Sequence, residues 1–139
     1  MTLRYLLDTN VISEPLRPVP HPTVLARLQQ FDGTIAIAAI VWHELLFGSA
    51  RLPASARRTM IDRYLHQVVA TTLPILAYDA QSAAWHAHER ARLAALGRTP
   101  PFADGQIAAV AQTNQLILVT FNTADYADFS GLALEDWRV

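Results

Sequence analysis

Short apolar runs alternate along this chain with longer stretches of helical periodicity. That alternation predicts an α/β fold with a central, mainly parallel sheet of four to five strands flanked by helices. Leu3 to Leu7 reads as a first strand that ends at Asp8. Asn10 to Leu16 reads as a short helix stopped by prolines, and Pro22 suits the first turn of a second helix running through Gln30. After the Asp32-Gly33 turn signal, Thr34 to Ala38 reads as the second strand. Helices are predicted over Ala39 to Ser49 and Ala54 to Val69, followed by a third strand over Thr71 to Leu76. Asp79 is a natural N-cap for a helix to Leu96, with Gly97 as its stop. Phe102 to Asn114 forms a further helical pattern after Pro100-Pro101. Leu116 to Thr120 reads as an apolar strand, as expected where both faces of a sheet are covered. Leu132 to Leu134 suggests a short edge strand.

Composition narrows the function classes. The 139 residues fit one domain with a real core, and we expect residues 1–139 to form a single unit. Hydrophobic residues make up 52% of the chain, much of it alanine. No apolar run reaches the roughly 20 residues of a spanning helix. Met1 to Leu7 lacks the cationic start and cleavage site of a secretory signal, so a cytoplasmic home is expected. Cysteine is absent, which excludes disulfides and thiolate metal sites. The formal net charge of −1 gives no global basic field for a nucleic acid, so any such contact needs a local patch. Every cationic side chain apart from histidine is arginine, so chemistry that requires a lysine is ruled out.

Candidate chemistry gathers at strand ends, where open parallel sheets place their sites. Asp8 ends the first strand. Thr120, Asn122 and Asp125 follow the Leu-Ile-Leu-Val-Thr strand, and Asp104 opens the helix leading into it. Parallel pairing brings these to one edge of the sheet. Each also has a structural reading: Asp8 as a cap, Asp104 as a complement to a helix dipole, Asp125 as a turn residue. Glu44 adds weight. Its helical neighbours Ile40, Val41, Phe47 and Gly48 predict an apolar face that looks inward. An ionised carboxylate there costs several kcal/mol unless paired. No lysine exists and no arginine lies on that helix, which leaves a bound cation as the rescue, against the reading that Glu44 sits at the rim and reaches solvent. Two unit charges about 4 Å apart repel by about 4 kcal/mol at an effective dielectric of about 20, and a divalent ion removes that penalty. All-oxygen ligands suit Mg²⁺ or Mn²⁺. This set indicates metal-assisted phosphoryl chemistry, with phosphodiester hydrolysis its simplest form.

Four segments resemble, in order, the motifs of the PIN-domain ribonucleases, specifically the VapC-type toxins of toxin–antitoxin pairs. They are Leu6-Leu7-Asp8-Thr9-Asn10-Val11-Ile12-Ser13-Glu14, Ile40 to Gly48 around Glu44, Phe102 to Ala111 around Asp104, and Leu118 to Tyr126 around Asp125. The resemblance implies a PIN-like fold, Mg²⁺ or Mn²⁺ dependence, RNA cleavage, a cognate antitoxin and a homodimer. It implies metal ligation by Asp8, Glu44 and Asp104, by Asp125 directly or through water, and orienting roles for Thr120 and Asn122. The fourth motif often carries arginine after the threonine, where this chain has Phe121. Arg98 is a candidate substitute, against its reading as an exposed loop residue.

Other residues receive structural readings. His43 is expected to diverge from the adjacent Glu44 by about 100°. His86 and His88 read as surface or interface residues beside Trp85. Ala80, Ala84, Ala87, Ala91 and Ala94 form a small-residue stripe suited to close packing within the domain or to a dimer face. Two rival functions remain: a lysine-less aspartyl phosphotransferase or receiver-like domain using Asp8, and a PIN binding module without catalysis. DNA as substrate is also open, because metal–carboxylate chemistry does not itself need the 2′-OH.

Overall fold

The computed structural model describes residues 2–139. The elements, in order, are β1 (Tyr5–Leu7), α1 (Thr9–Ile12), a 3₁₀ turn (Glu14–Leu16), α2 (Pro22–Gln30), β2 (Ile35–Ala38), α3 (Ala39–Ala50) and α4 (Ala56–Arg63). A π-helical turn (Tyr64–Val69) follows, then α5 (Ala70–Thr72), β3 (Ile75–Leu76), α6 (Ala80–Ala95), α7 (Phe102–Thr113), β4 (Ile117–Val119), α8 (Thr123–Tyr126) and β5 (Leu134–Glu135).

All four strand pairings are parallel, in the order β3-β2-β1-β4-β5. The predicted α/β class therefore holds, with the sheet wholly parallel. Leu6 is in register with Ala36 on one side and Leu118 on the other. The chain builds outward from β1 in one direction and returns through β4 in the other. The carboxyl ends of these two neighbours thus form a switch point, the natural seat of a site. Leu6, Leu7, Ile37, Ile107 and Leu118 are completely or almost completely enclosed between the sheet and its helices. Tyr5, Phe31 and Trp137 close part of the core as an aromatic cluster, with ring centroids 4.8–5.5 Å apart.

Capping chemistry explains the helix bounds. Asp79 accepts from Ser82 N at 2.9 Å at the start of α6. Gly97, at φ 74°, ends it, and Arg98 N donates back to Leu93 O at 2.9 Å. The third strand is shorter than predicted. Residues 70–72 extend the preceding helix instead, leaving only Ile75–Leu76 to pair with β2. The edge strand falls at Leu134–Glu135 rather than 132–134.

Three readings of helix faces change. His86 is buried, at 3% exposure, rather than at the surface. Its Nδ1 lies 2.9 Å from Tyr78 Oη, and its ring packs against Gly105 of α7. The alanine stripe of α6 is exposed and not packed within the fold, because Ser82, His86, Glu89 and Leu93 form its inner face. On α3, Phe47 is 60% exposed, so the face bearing Glu44 is a rim rather than an inward apolar surface. No helix among the described residues is long and apolar enough to cross a membrane.

Candidate active site

Asp8 follows β1 directly and is tied by hydrogen bonds to α1, to the turn after β4 and to α8. It is 7% exposed. Its Oδ1 accepts from Thr9 N at 2.8 Å, which caps α1. Its Oδ2 accepts from Thr120 Oγ1 at 2.8 Å and from Tyr126 Oη at 3.2 Å. Thr120 follows β4, so the parallel β1–β4 register brings the two residues together. The Thr120 hydroxyl in turn accepts from Asn122 N at 3.1 Å, which fixes the turn into α8. Asn10 Oδ1 accepts from Phe121 N at 3.4 Å and ties that turn back to α1.

Tyr126 is a site residue that the sequence pattern did not single out. It is buried, and its hydroxyl reaches both Asp8 and Asp104 Oδ1, the latter at 3.4 Å. Burial pushes its hydroxyl well above the ordinary range, with Asp8 and Asp104 adding to the effect, so it remains a donor. The available signal was a tyrosine following an acidic turn: a buried phenol needs a partner for its hydroxyl.

Asp104 lies in the first turn of α7 and is half-buried. Burial raises its carboxyl from 3.8 to about 6, and Asp8, Asp125 and Glu44 push in the same direction. Glu44 projects from α3 at the opposite rim and accepts from Thr9 Oγ1 at 3.3 Å. Partial burial raises its carboxyl as well, and Asp8 contributes. Glu44 thus stands at a rim, its carboxyl raised by partial burial and by Asp8, and not on an enclosed apolar face. Asp125 is exposed in the first turn of α8 and shares a cleft with Asp104. The side chain of Asn122 is exposed, and only its backbone joins the network. His43 points to solvent and stacks on Phe47 at 6.4 Å, as its angular offset from Glu44 predicts.

None of the four acids has an arginine or histidine partner within ion-pair distance among the described residues. The other buried acids are engaged elsewhere. Glu14, 1% exposed, binds Arg17 at 2.9 Å and His21 N at 3.0 Å. Glu89 takes Arg92 and Ser130 N. The acids without cationic partners therefore lie along one edge of the sheet, and a divalent cation suits them by charge and by their all-oxygen donors. Among the described residues, no three acidic or histidine side chains already converge tightly enough to form a ready cage.

Phe121, at the motif's departure, is half-buried. The Arg138 guanidinium covers its ring at 4.5 Å and donates to its carbonyl at 3.0 Å.

Comparison with known protein families matches the PIN domain over residues 5–131. The chain belongs to the PIN domain family. It is 36% identical to Toxin FitB of Neisseria gonorrhoeae over 136 residues, covering 96% of this chain and 98% of that one. It is 30% identical to the tRNA(fMet)-specific endonuclease VapC of Shigella flexneri, covering 97% and 98%. In a solved structure of FitAB bound to an IR36 DNA fragment, the matching chain superposes with a TM-score of 0.87 at 31% identity, covering 97% of this chain and 96% of that chain. This PIN chain is thus a VapC-type member in sequence as well as in fold, and PIN nucleases use divalent metal ions.

Proposed function

We propose that this PIN chain is a Mg²⁺- or Mn²⁺-dependent endoribonuclease, the toxin of a toxin–antitoxin pair. One observation carries the reading: a cluster of carboxylates without cationic partners at the carboxyl ends of β1 and β4, centred on the hydrogen-bonded pair Asp8 and Tyr126. We assign Asp8, Glu44 and Asp104 as metal ligands, with Asp125 as the fourth acid, direct or through water. The preference for Mg²⁺ or Mn²⁺ rests on the all-oxygen donor set. When bound, such an ion activates water and neutralises charge developing on a phosphodiester.

The chain's own residues do the positioning. Thr120 and Tyr126 both donate to Asp8 Oδ2, and Thr9 N holds Oδ1, so this carboxylate has one orientation. Thr9 Oγ1 restrains the longer Glu44 side chain. Asn122 supports Thr120 through its backbone rather than its amide. The phosphotransferase reading is disfavoured: such chemistry leans on a lysine near the phosphate, and the chain has none.

RNA as substrate follows the relative named as a tRNA(fMet)-specific endonuclease. An antitoxin partner follows the relative named as a toxin and the FitAB complex. A homodimer follows the family resemblance, and the exposed alanine face of α6 leaves room for a second copy. Metal-dependent digestion of RNA by purified protein tests the function, with matched single-stranded DNA beside it. Asp8→Asn and Asp104→Asn are expected to abolish RNA cleavage while leaving the melting transition cooperative. Full activity in both variants overturns the assignment.

A further inference from the structure

Two clefts flank the acid centre, one lined by three arginines and the other by one. The first, about 390 Å³, lies beside α1, α3 and α4 and is lined by Thr9 and Glu44 together with Arg17, Arg51 and Arg57. The second, about 370 Å³, is lined by Asp104 and Asp125 together with Arg98 and Asp128. Sheet order fixes their relation. α3 follows β2 and α8 follows β4, and these strands flank β1 on its two sides. The two clefts therefore lie on the β2 side and on the β4 side of Asp8, reaching Glu44 and Asp104 respectively.

The arginines are not equivalent. Arg17 is held by the buried Glu14 at 2.9 Å. Arg98 shares one amino group with Asp128 at 3.1 Å and stays half-exposed. Arg51 and Arg57 are exposed and have no carboxylate partner among the described residues. Arg4, Arg27, Arg63 and Arg90 also lack a carboxylate partner among the described residues, but of these six only Arg51 and Arg57 line the cleft that reaches Glu44, and that placement needs a reason. A polyanion that must approach four carboxylates supplies one. Arg51 also lies 5.9 Å from the centre of the exposed Phe47 ring, so a π surface adjoins the cations, as in single-strand binding grooves.

We propose that one RNA single strand crosses the acid centre through both clefts, its phosphates on one side of the scissile bond held by Arg51 and Arg57 and on the other by Arg98. The inference rests on the ribonuclease reading and adds the substrate's path to it. Guanidinium groups suit this role because they bind phosphate in a fork. Arg98 thereby becomes a phosphate contact on the Asp104 side in exchange for its exposed partner Asp128, while Arg138 lines neither cleft and is not on the path.

The test uses wild-type protein, Arg51→Gln/Arg57→Gln, Arg98→Gln and, as a charge-matched control at the far end of β1, Arg4→Gln. Cleavage of a defined single-stranded RNA is followed, with binding measured in an Asp8→Asn background across a salt series. Removing Arg51 and Arg57 is expected to raise KM about tenfold with kcat within twofold, and to reduce the salt slope by about 1.4, or about 0.7 per phosphate contact. Arg98→Gln is expected to lower the slope by about 0.7, and Arg4→Gln to leave it unchanged. Shortening the RNA from one end is expected to abolish sensitivity to one set of arginines while preserving sensitivity to the other. Wild-type kinetics and slope in the double variant, in an enzyme that cleaves RNA, overturn the path alone. Absence of RNA cleavage by wild-type protein overturns the function beneath it. Loss of activity with unchanged KM and slope assigns these arginines to the fold and also overturns the path.

Discussion

Replacing Asp104 with asparagine should make the metal-free protein more stable, although it removes a residue assigned to catalysis. The carboxyl is raised from 3.8 to about 6 by burial, then by Asp8 and Asp125. At face value that displacement is a penalty of about 3 kcal/mol on the ionised form. Asp104 is only half-buried, so solvent screening reduces the penalty to about 1–2 kcal/mol. The sign follows from linkage. Below pH 3.8 the group is protonated in both folded and unfolded chains, and the penalty vanishes. It grows as pH rises from 3.8 and is complete above about 6. Asp104→Asn should therefore gain about 1–2 kcal/mol at pH 7.5 in chelator and nothing at pH 3.5. Metal should reverse the order. An ion at one hundred times its Kd adds about 2.7 kcal/mol to a folded state that binds it. Wild type should gain that increment, and the variant much less. Urea unfolding at the two pH values, with EDTA or with Mn²⁺, reads all four quantities. An Asp104→Asn variant less stable than wild type in EDTA at pH 7.5, or one stabilised equally by Mn²⁺, would refute the picture of mutually repelling acids awaiting a cation.

Further outcomes follow from the same geometry. Tyr126→Phe removes the hydroxyl shared by Asp8 and Asp104, so kcat for RNA should fall about tenfold or more, with about 1 kcal/mol or less lost in urea unfolding. An unchanged kcat would show the bridge to be incidental. A Cβ at position 105 would collide with His86 Nε2, so Gly105→Ala should lose about 1–3 kcal/mol, and adding His86→Ala should restore part of it in a double-mutant cycle. Glu89 is held down to about 2 by Arg92 and Ser130 N against an ordinary value of 4.5. Glu89→Gln should cost about 2 kcal/mol at pH 7, a loss that fades as pH falls from 4.5 toward 2, as thermal melts across that range would show.

The sequence revealed the parts of this fold that local chemistry dictates. Asp79 and Gly97 bracket α6 because a side-chain cap and a left-handed residue act on their own helix. Asp8 and Thr120 were legible as strand-end residues, since parallel pairing of two apolar runs brings their carboxyl ends, and the residues just beyond, to the same edge of the sheet. Tertiary contacts decided the rest. His86 looks like a surface histidine until the glycine of a neighbouring helix gives it a cavity. The apolar neighbours of Glu44 suggested burial, yet Phe47 turns to solvent and the glutamate reaches a cleft instead. Residues 70–72 have strand-like composition but continue the helix before them, which shortens β3. Tyr126 escaped notice because its value lies wholly in two carboxylates distant in sequence. Asp125, assigned mainly through its motif, shares a cleft with Asp104 yet makes no side-chain hydrogen bond to the network.

We assign Asp8, Glu44, Asp104 and Asp125 as a set that together holds a divalent ion. Titration of metal-stripped protein with Mn²⁺, read by the loss of the free-ion paramagnetic resonance signal, tests this assignment most directly. Saturable binding is expected for wild type, with its loss in Asp8→Asn and no change in Arg4→Gln. Equal Mn²⁺ binding by wild type and Asp8→Asn would contradict it.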